Sequence, residues 1–168
     1  MSSKGSRASG LAVLASAILL TATSVNAAAP LTLTGWDARA VASARTGALK
    51  RLESDECRKV FTDFSDDQGR RLQQNLENWT ASPAEYIGLI PFVDGSSHPL
   101  CRKTKVALVA SPGVRRVFVC KTFSEVQLRQ PGAAESMVIH EILHTLGLGE
   151  NPPSSREITS RVIRRCRH

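Results

Sequence analysis

Two stretches in the first half of the chain repeat apolar residues at the spacing of an α-helix. The first runs from Gly35 to about Glu56, and the second runs from Gln68 to Trp79. Their apolar positions fall on one face of each helix: Val41, Ala44, Ala48 and Leu52 in the first, and Leu72, Leu76 and Trp79 in the second. This periodicity predicts two amphipathic helices that pack against a core.

The middle of the chain changes to β-prone segments separated by turn residues. Residues 86–93 combine aromatic and branched side chains, and a polar loop follows over residues 94–99. Two further apolar segments, 105–109 and 115–120, flank the sequence Ser-Pro-Gly at residues 111–113. Because proline and glycine favour tight turns, we predict a hairpin over 105–120 and an extended segment over 86–93.

Residues 137–146 predict a buried helix that nevertheless carries three ionisable side chains, His140, Glu141 and His144. Positions i and i+4 lie on the same helical face, so the two histidines can present their imidazoles to one ion. Burying these groups without a common partner is costly, and a metal ion would supply that partner. The spacing is the HExxH pattern of zinc metallopeptidases, in which the glutamate can take a proton from a zinc-activated water.

Two residues beyond the helix extend this pattern. Gly147 follows the second histidine by three positions, where a helix can end in a left-handed turn. Glu150 comes three positions later, so a chain that reverses at Gly147 can return a carboxylate to the ion. We therefore predict a Zn²⁺ site formed by His140, His144 and Glu150, with Glu141 as the catalytic general base. Two alternatives for the third ligand stay open, His98 and Glu157.

Residues 140–150 read HExxHxxGxxE, which resembles the elongated signature of the metzincin clan of zincins, HExxHxxGxxH. The resemblance implies a single α+β domain with a zincin-like fold, in which the edge strand of a small sheet lies beside the catalytic cleft. It also implies that one of the two helices of the first half backs the active-site helix. The activity it implies is zinc-dependent hydrolysis of peptide or protein substrates by an endopeptidase.

The sequence departs from the metzincin clan in one respect. Metzincins place a methionine in a turn beneath the zinc, downstream of the motif. The only methionines here are Met1 and Met137, and neither follows the motif. A last helix is predicted instead, capped by Ser154 or Ser155 and continuing through Ile158, with a basic face that we expect to be solvated.

The first residues have the pattern of a secretory signal peptide. Lys4 and Arg7 precede an apolar segment over 11–25, and small residues follow up to Ala27. The apolar segment is shorter than the roughly 20 residues that span a bilayer, so we expect no stable membrane insertion after cleavage. The predicted organisation is a signal peptide at 1–27 and one domain at 28–168, with secretion or release into a periplasm.

All four cysteines lie in the predicted mature domain, and an even number in an exported chain indicates disulfides. Four cysteines allow three connectivities. Cys101 and Cys120 bracket the predicted hairpin, while Cys57 and Cys166 lie near the two ends of the domain. We favour these two pairings.

Charge and composition narrow the class of partner. The chain has 22 lysines and arginines against 15 acidic residues, and removal of Lys4 and Arg7 leaves 20 against 15, or +5. This surplus is modest, and no aromatic-rich basic stripe accompanies it, so a nucleic-acid partner is not expected. The alternative to an enzyme is a secreted, disulfide-bonded binding module whose metal is structural or absent. The oligomeric state is not fixed by the sequence.

Overall fold

The structure, a computed structural model, describes residues 33–80 and 82–167, so the predicted signal peptide at 1–27 lies outside the described residues. The helices are α1 (Gly35–Leu52), α2 (Asp55–Arg58), α3 (Val60–Asp63), α4 (Leu72–Glu77), α5 (Pro83–Leu89), α6 (Pro99–Lys103), α7 (Phe123–Arg129), α8 (Pro131–Thr145) and α9 (Ser155–Arg165). The strands are β1 (Phe92–Asp94), β2 (Leu108–Ala110) and β3 (Val117–Val119). The predicted α+β class is confirmed. No helix within the described ranges has both the length and the apolar character needed to cross a bilayer.

Helix α8 lies at the centre of the fold and packs against α1, α7, α9 and β2. Small residues of α1, among them Ala44 and Ala48, let the two helices approach closely, and both are fully buried. Gly47 leaves the space that the Glu135 side chain occupies, and Glu135 accepts a hydrogen bond from Nε of Arg51 at 2.6 Å. The backing helix is therefore α1, the first of the two predicted candidates.

The three strands form one mixed sheet in the order β1-β3-β2. β1 pairs with β3 in parallel, and β2 pairs with β3 antiparallel with Val109 opposite Phe118. The predicted hairpin is thus confirmed, although its strands are shorter than the apolar segments. β2 is an edge strand of the sheet and packs on α8, so the hairpin meets the helix that carries the HExxH pattern.

The prediction of an extended segment over 86–93 is wrong for its first half, residues 86–89. Residues 83–89 form α5, in which Pro83 is the first helical residue and the Ser82 side chain accepts from the Glu85 amide. Proline at this position starts a helix, because its missing N–H would have no intrahelical partner there. Tyr86 and Ile87 are fully buried on one side of this short helix, and only Phe92–Asp94 forms a strand.

Both favoured disulfides, Cys57 to Cys166 and Cys101 to Cys120, are present. The first joins α2 to the end of α9, and the second joins α6 to the residue after β3. Two disulfides are consistent with a protein that folds in an oxidising compartment. The Cys57–Cys166 disulfide also fixes the C-terminal helix, whose residue Thr159 contributes to the site described below.

The predicted last helix, α9, starts at a capping box in which Ser154 and Glu157 bond reciprocally to each other's backbone amides. Its basic face is only partly solvated, contrary to our expectation. Arg165 donates two hydrogen bonds to the Asp63 carboxylate, at 2.8 and 2.9 Å, and also pairs with Glu56. Arg161 lies 3.3 Å from the same Asp63 carboxylate. These ion pairs fasten α9 to α2 and α3.

We predict that the two disulfides differ in their contribution to stability. Cys57 and Cys166 are 109 residues apart, whereas Cys101 and Cys120 are 19 apart. A disulfide that closes a longer loop restricts the unfolded chain more, so its removal lowers the free energy of unfolding more. We expect a decrease of about 5 kcal/mol for Cys57→Ala with Cys166→Ala, and of about 3 kcal/mol for Cys101→Ala with Cys120→Ala. Guanidinium unfolding of the two double variants measures this order, and a larger loss for the shorter loop would contradict it.

Candidate metal centre

The structure brings the three predicted ligands together at the end of α8. Nε2 of His140 lies 3.0 Å from Nε2 of His144. Oε1 of Glu150 lies 3.3 Å from Nε2 of His144 and 3.7 Å from Nε2 of His140. The histidine side chains are almost fully buried, while that of Glu150 is 39% exposed. This group of three could hold a metal ion.

The distances among the three ligand atoms suit a tetrahedral ion. Zinc binds imidazole nitrogen and carboxylate oxygen at about 2.0–2.1 Å, which places two ligand atoms of a tetrahedral site about 3.4 Å apart. The observed separations of 3.0, 3.3 and 3.7 Å bracket this value. Only a small adjustment of side chains would be needed for all three atoms to bind one ion.

Hydrogen bonds on the far side of each imidazole ring fix the ring orientations. Nδ1 of His144 lies 2.7 Å from the carbonyl oxygen of Leu148, and Nδ1 of His140 lies 2.9 Å from the hydroxyl of Thr159. A carbonyl only accepts, so Nδ1 of His144 carries a proton, and in the neutral ring Nε2 carries a lone pair. Such a lone pair and the carboxylate oxygen 3.3 Å from Nε2 could both bind one metal ion.

The chain reverses after α8 in a Schellman motif. The Gly147 amide donates to the His144 carbonyl at 2.8 Å, and the Leu148 amide donates to the Leu143 carbonyl at 3.2 Å. Gly147 has a φ of 109°, which disfavours any residue with a Cβ atom. The turn directs the Leu148 carbonyl toward His144 and brings Glu150 back to the histidine pair. The predicted left-handed turn at Gly147 is confirmed.

The last carbonyls of α8, those of residues 144–146, each accept a hydrogen bond from a different part of the fold. The donors are the Gly113 amide to His144 at 2.9 Å, the Tyr86 hydroxyl to Thr145 at 3.2 Å and Nδ2 of Asn75 to Leu146 at 2.9 Å. These contacts satisfy groups that a helix end leaves without intrahelical partners. They also hold the end of α8, and hence the ligand group, at a fixed position.

Asp66 supports the turn from the opposite side. Its carboxylate accepts from Nδ2 of Asn75 at 2.9 Å, from the amides of Gln68 and Arg70, and from the Arg70 side chain. The Asn75 bond, backbone amides and Arg70 together lower the pKa of Asp66 to about 2. A Cβ atom at Gly147 would lie 3.2 Å from Cβ of Asp66. The turn therefore has little room for a side chain.

Glu141 lies beside the ligand group and contacts the edge of the sheet. The Ala110 backbone amide donates a hydrogen bond to its carboxylate. Burial, with a smaller contribution from the charge of Glu150, raises the pKa of the Glu141 carboxyl to about 8 although the Ala110 amide opposes this. A cation bound by the three ligands would favour the ionised carboxylate. Burial and the neighbouring His144 lower the pKa of His140 to about 4, so its ring is neutral at pH 7.

The two alternative ligands have other structural roles. Nδ1 of His98 accepts the Leu100 amide at 3.3 Å as the N-cap of α6, and its ring centroid lies 4.5 Å from that of Phe118. Glu157 belongs to the capping box of α9. Among residues 33–80 and 82–167, only Glu150 joins the histidine pair in a group of metal-binding side chains.

A cleft of about 670 Å³ opens beside the ligand group. Its walls include Gly147 and Glu150 from the turn, Gly113 and Arg115 from the hairpin, and Trp79 from the segment after α4. The indole of Trp79 is 53% exposed, and the Arg115 guanidinium lies 3.6 Å from its ring centroid. The cleft is wide enough to admit part of a peptide next to Glu150.

Sequence reasoning missed three groups that act on the site. Thr159 orients His140, the Leu148 carbonyl orients His144, and the Ala110 amide contacts Glu141. Two of these are backbone groups, which leave no signal in residue type. Thr159 lies on α9, and nothing in the spacing of that helix distinguishes its hydroxyl from a solvated one.

Comparison with known proteins gives no relative on which to base a function: the chain matches no known family, no curated protein and no solved structure. The interpretation of the site therefore depends on its own geometry. That geometry comprises two oriented imidazoles, a carboxylate that completes a ligand set of three, and a second carboxylate beside them.

We predict that Gly147→Ala destabilises the protein by about 1–3 kcal/mol, because an L-residue is strained at the φ of this turn. Gly149→Ala is the matched control, since its φ lies outside the range that L-residues avoid and its Cβ would meet no atom within 4 Å. Urea unfolding measures both variants. Equal stability of the two would show that the turn tolerates a side chain.

We predict that Thr159→Val weakens metal binding about 10- to 100-fold, because Nδ1 of His140 loses the partner that fixes its ring. Thr159→Ser keeps the hydroxyl and should retain most of the affinity. Competition against a chromophoric chelator measures the dissociation constants. An unchanged affinity in Thr159→Val would mean that the hydroxyl does not orient the ligand.

Proposed function

We propose that the protein is an exported, zinc-dependent endopeptidase with a zincin-like fold. The observation that carries the proposal is the convergence of two imidazole nitrogens and one carboxylate oxygen within 3.7 Å, with the Glu141 carboxyl beside them on the same helix. Such a set suits a catalytic ion, because three protein ligands leave a coordination position for a reactant, whereas structural zinc sites usually use four.

Zinc is the metal that best suits these donors. Two imidazoles and one carboxylate form a ligand set used by catalytic zinc, while magnesium and calcium prefer oxygen ligands alone. Bound there, zinc would lower the pKa of a water to about 7 and polarise the scissile carbonyl. Glu150 is partly exposed and borders the adjoining cleft, so a substrate there could approach this side of the ligand group.

Glu141 has a position that suits a general base, since it is adjacent in sequence to His140. Burial raises the pKa of its carboxyl to about 8, and a cation at the ligand group would favour the ionised form that a base requires. Glu141 can accept a proton from the attacking water and return that proton to the leaving amine. The Ala110 amide holds one side of the carboxylate, which limits its rotation during these transfers.

Strand β2 offers the backbone groups that an extended peptide would use. Cys120 donates to the Ala107 carbonyl, so by antiparallel alternation the backbone groups of Leu108 and Ala110 face away from β3. An extended substrate could add to this edge as another strand, with hydrogen bonds to the backbone of Leu108 and to the Ala110 carbonyl, because the Ala110 amide is used by Glu141. The contact between Ala110 and Glu141 would bring such a substrate next to the proposed general base.

Export of the protein is supported by two independent features. The first 27 residues have the pattern of a signal peptide, and all four cysteines form disulfides in the fold. A protease that acts outside the cytoplasm gains from both features, since disulfides protect the folded state where thiols are not kept reduced.

We predict that Glu141→Gln keeps zinc and loses peptidase activity by roughly 10²- to 10⁴-fold, because the general base is removed while the ligands stay. His144→Ala should lose both metal and activity. Metal analysis, combined with cleavage of a peptide library with and without a chelator, measures both properties.

Glu157→Gln is the matched control for this experiment, because glutamine can replace glutamate in a capping box. It should retain zinc and full activity. Unchanged cleavage by Glu141→Gln would refute the mechanism. Stoichiometric zinc without cleavage of any peptide by the wild-type protein would favour a binding module with a structural metal.

A further inference from the structure

The cleft beside the ligand group contains a cation that the fold does not neutralise. Arg115 is exposed, and within residues 33–80 and 82–167 no carboxylate forms an ion pair with it. Its guanidinium lies 3.6 Å from the ring centroid of Trp79. Stacking of this kind orients an arginine and leaves the N–H groups at its edge available to a ligand.

Arg115 is also fixed relative to the ligand group. It lies two residues after Gly113, whose amide donates to the His144 carbonyl at 2.9 Å. Arg115 and Glu150 line the same cleft. Glu150 is the member of the ligand group that borders this cleft, so Arg115 shares a surface with that one ligand.

The other charged groups of the cleft do not remove this positive site. Asp66 is engaged by Arg70, by Asn75 and by two backbone amides. Glu150 faces the histidine pair. The one acidic side chain of the lining without such an engagement is Asp67, which is fully exposed and lies next to Asp66 in the chain.

We propose that Arg115 binds a carboxylate of the substrate and so determines specificity at this cleft. This inference rests on the proposed peptidase function. A guanidinium edge matches a carboxylate in shape and charge through two parallel N–H···O bonds, and a charge-assisted pair of this kind discriminates against a neutral amide of the same size. Lysine would provide the charge without the planar fork or the stacking on Trp79.

A carboxylate could come from an aspartate or glutamate side chain near the cleaved bond, or from the C-terminus of a short substrate. The two sources share one chemistry at Arg115, and they differ in where the substrate is cut. An acidic side chain would direct cleavage within a long chain, whereas a terminal carboxylate would direct it close to the end.

The test uses zinc-loaded protein and sets of peptides that differ only in the carboxylate. One set replaces glutamate by glutamine at each position around a cleaved bond, and the other replaces the free C-terminus by an amide. We expect kcat/KM to be roughly 10- to 100-fold higher for the carboxylate in one of the two sets. In Arg115→Ala this ratio should fall to about 1.

Arg116→Ala is the matched control, because Arg116 is an exposed neighbour of equal charge outside the lining of the cleft. It should keep the wild-type ratio, as should Asp67→Asn. Thermal unfolding checks that each variant is folded. A wild-type ratio near 1 in both sets, or an unchanged ratio in Arg115→Ala, would overturn the inference.

A binding measurement separates this inference from the peptidase function. Calorimetric titration of Glu141→Gln with the same peptides reports carboxylate recognition without cleavage. The inference is supported if Glu141→Gln binds the carboxylate peptide more tightly than the neutral one and the double variant with Arg115→Ala does not. This holds even if the wild-type protein cleaves nothing, because then only the peptidase proposal fails. Equal binding of the carboxylate and neutral peptides contradicts the inference whatever the activity.

Discussion

The way α8 ends is the constraint on which the rest of the structure depends. The carbonyls of residues 144–146 accept from Gly113, Tyr86 and Asn75, which belong to the hairpin, to α5 and to α4. A helix end is normally satisfied by its own cap or by water. Here three distant elements supply the donors, so the positions of those elements and of the helix end determine one another.

The same end of the helix explains how buried histidines are tolerated. Two buried imidazoles and a carboxylate in close contact would be costly without hydrogen bonds and a counter-charge. The Schellman turn supplies the Leu148 carbonyl to His144, and α9 supplies Thr159 to His140. Each ring is held from behind, with its second nitrogen directed at the group of three. This is the arrangement by which proteins orient imidazole ligands toward a metal.

Buried and accessible groups are distributed in a way that suits a reaction with a large substrate. The histidines are buried and oriented, while Glu150 borders a cleft and Glu141 contacts the edge strand β2. In the proposed mechanism a peptide lying along β2 would pass Glu141, and a side chain or terminus entering the cleft would approach Arg115. The hairpin links the two surfaces, since β2 and Arg115 both belong to it. The Cys57–Cys166 disulfide and the Arg165 ion pairs then hold α9 against the core, with Thr159 in place.

The sequence by itself determined the features that depend on local geometry. The i, i+4 spacing placed His140 and His144 on one face, the glycine at 147 ended α8, the Ser154 cap began α9, and Ser-Pro-Gly turned the hairpin. It failed at 83–89, where a short apolar run is compatible with a strand or a helical turn and packing of Tyr86 selected the helix. Only the tertiary structure decided that Glu150 rather than His98 or Glu157 meets the histidines, and that Thr159, Ala110 and Arg115 surround them. These contacts join residues far apart in the chain, so they follow from how the elements cross and not from the pattern within any one of them.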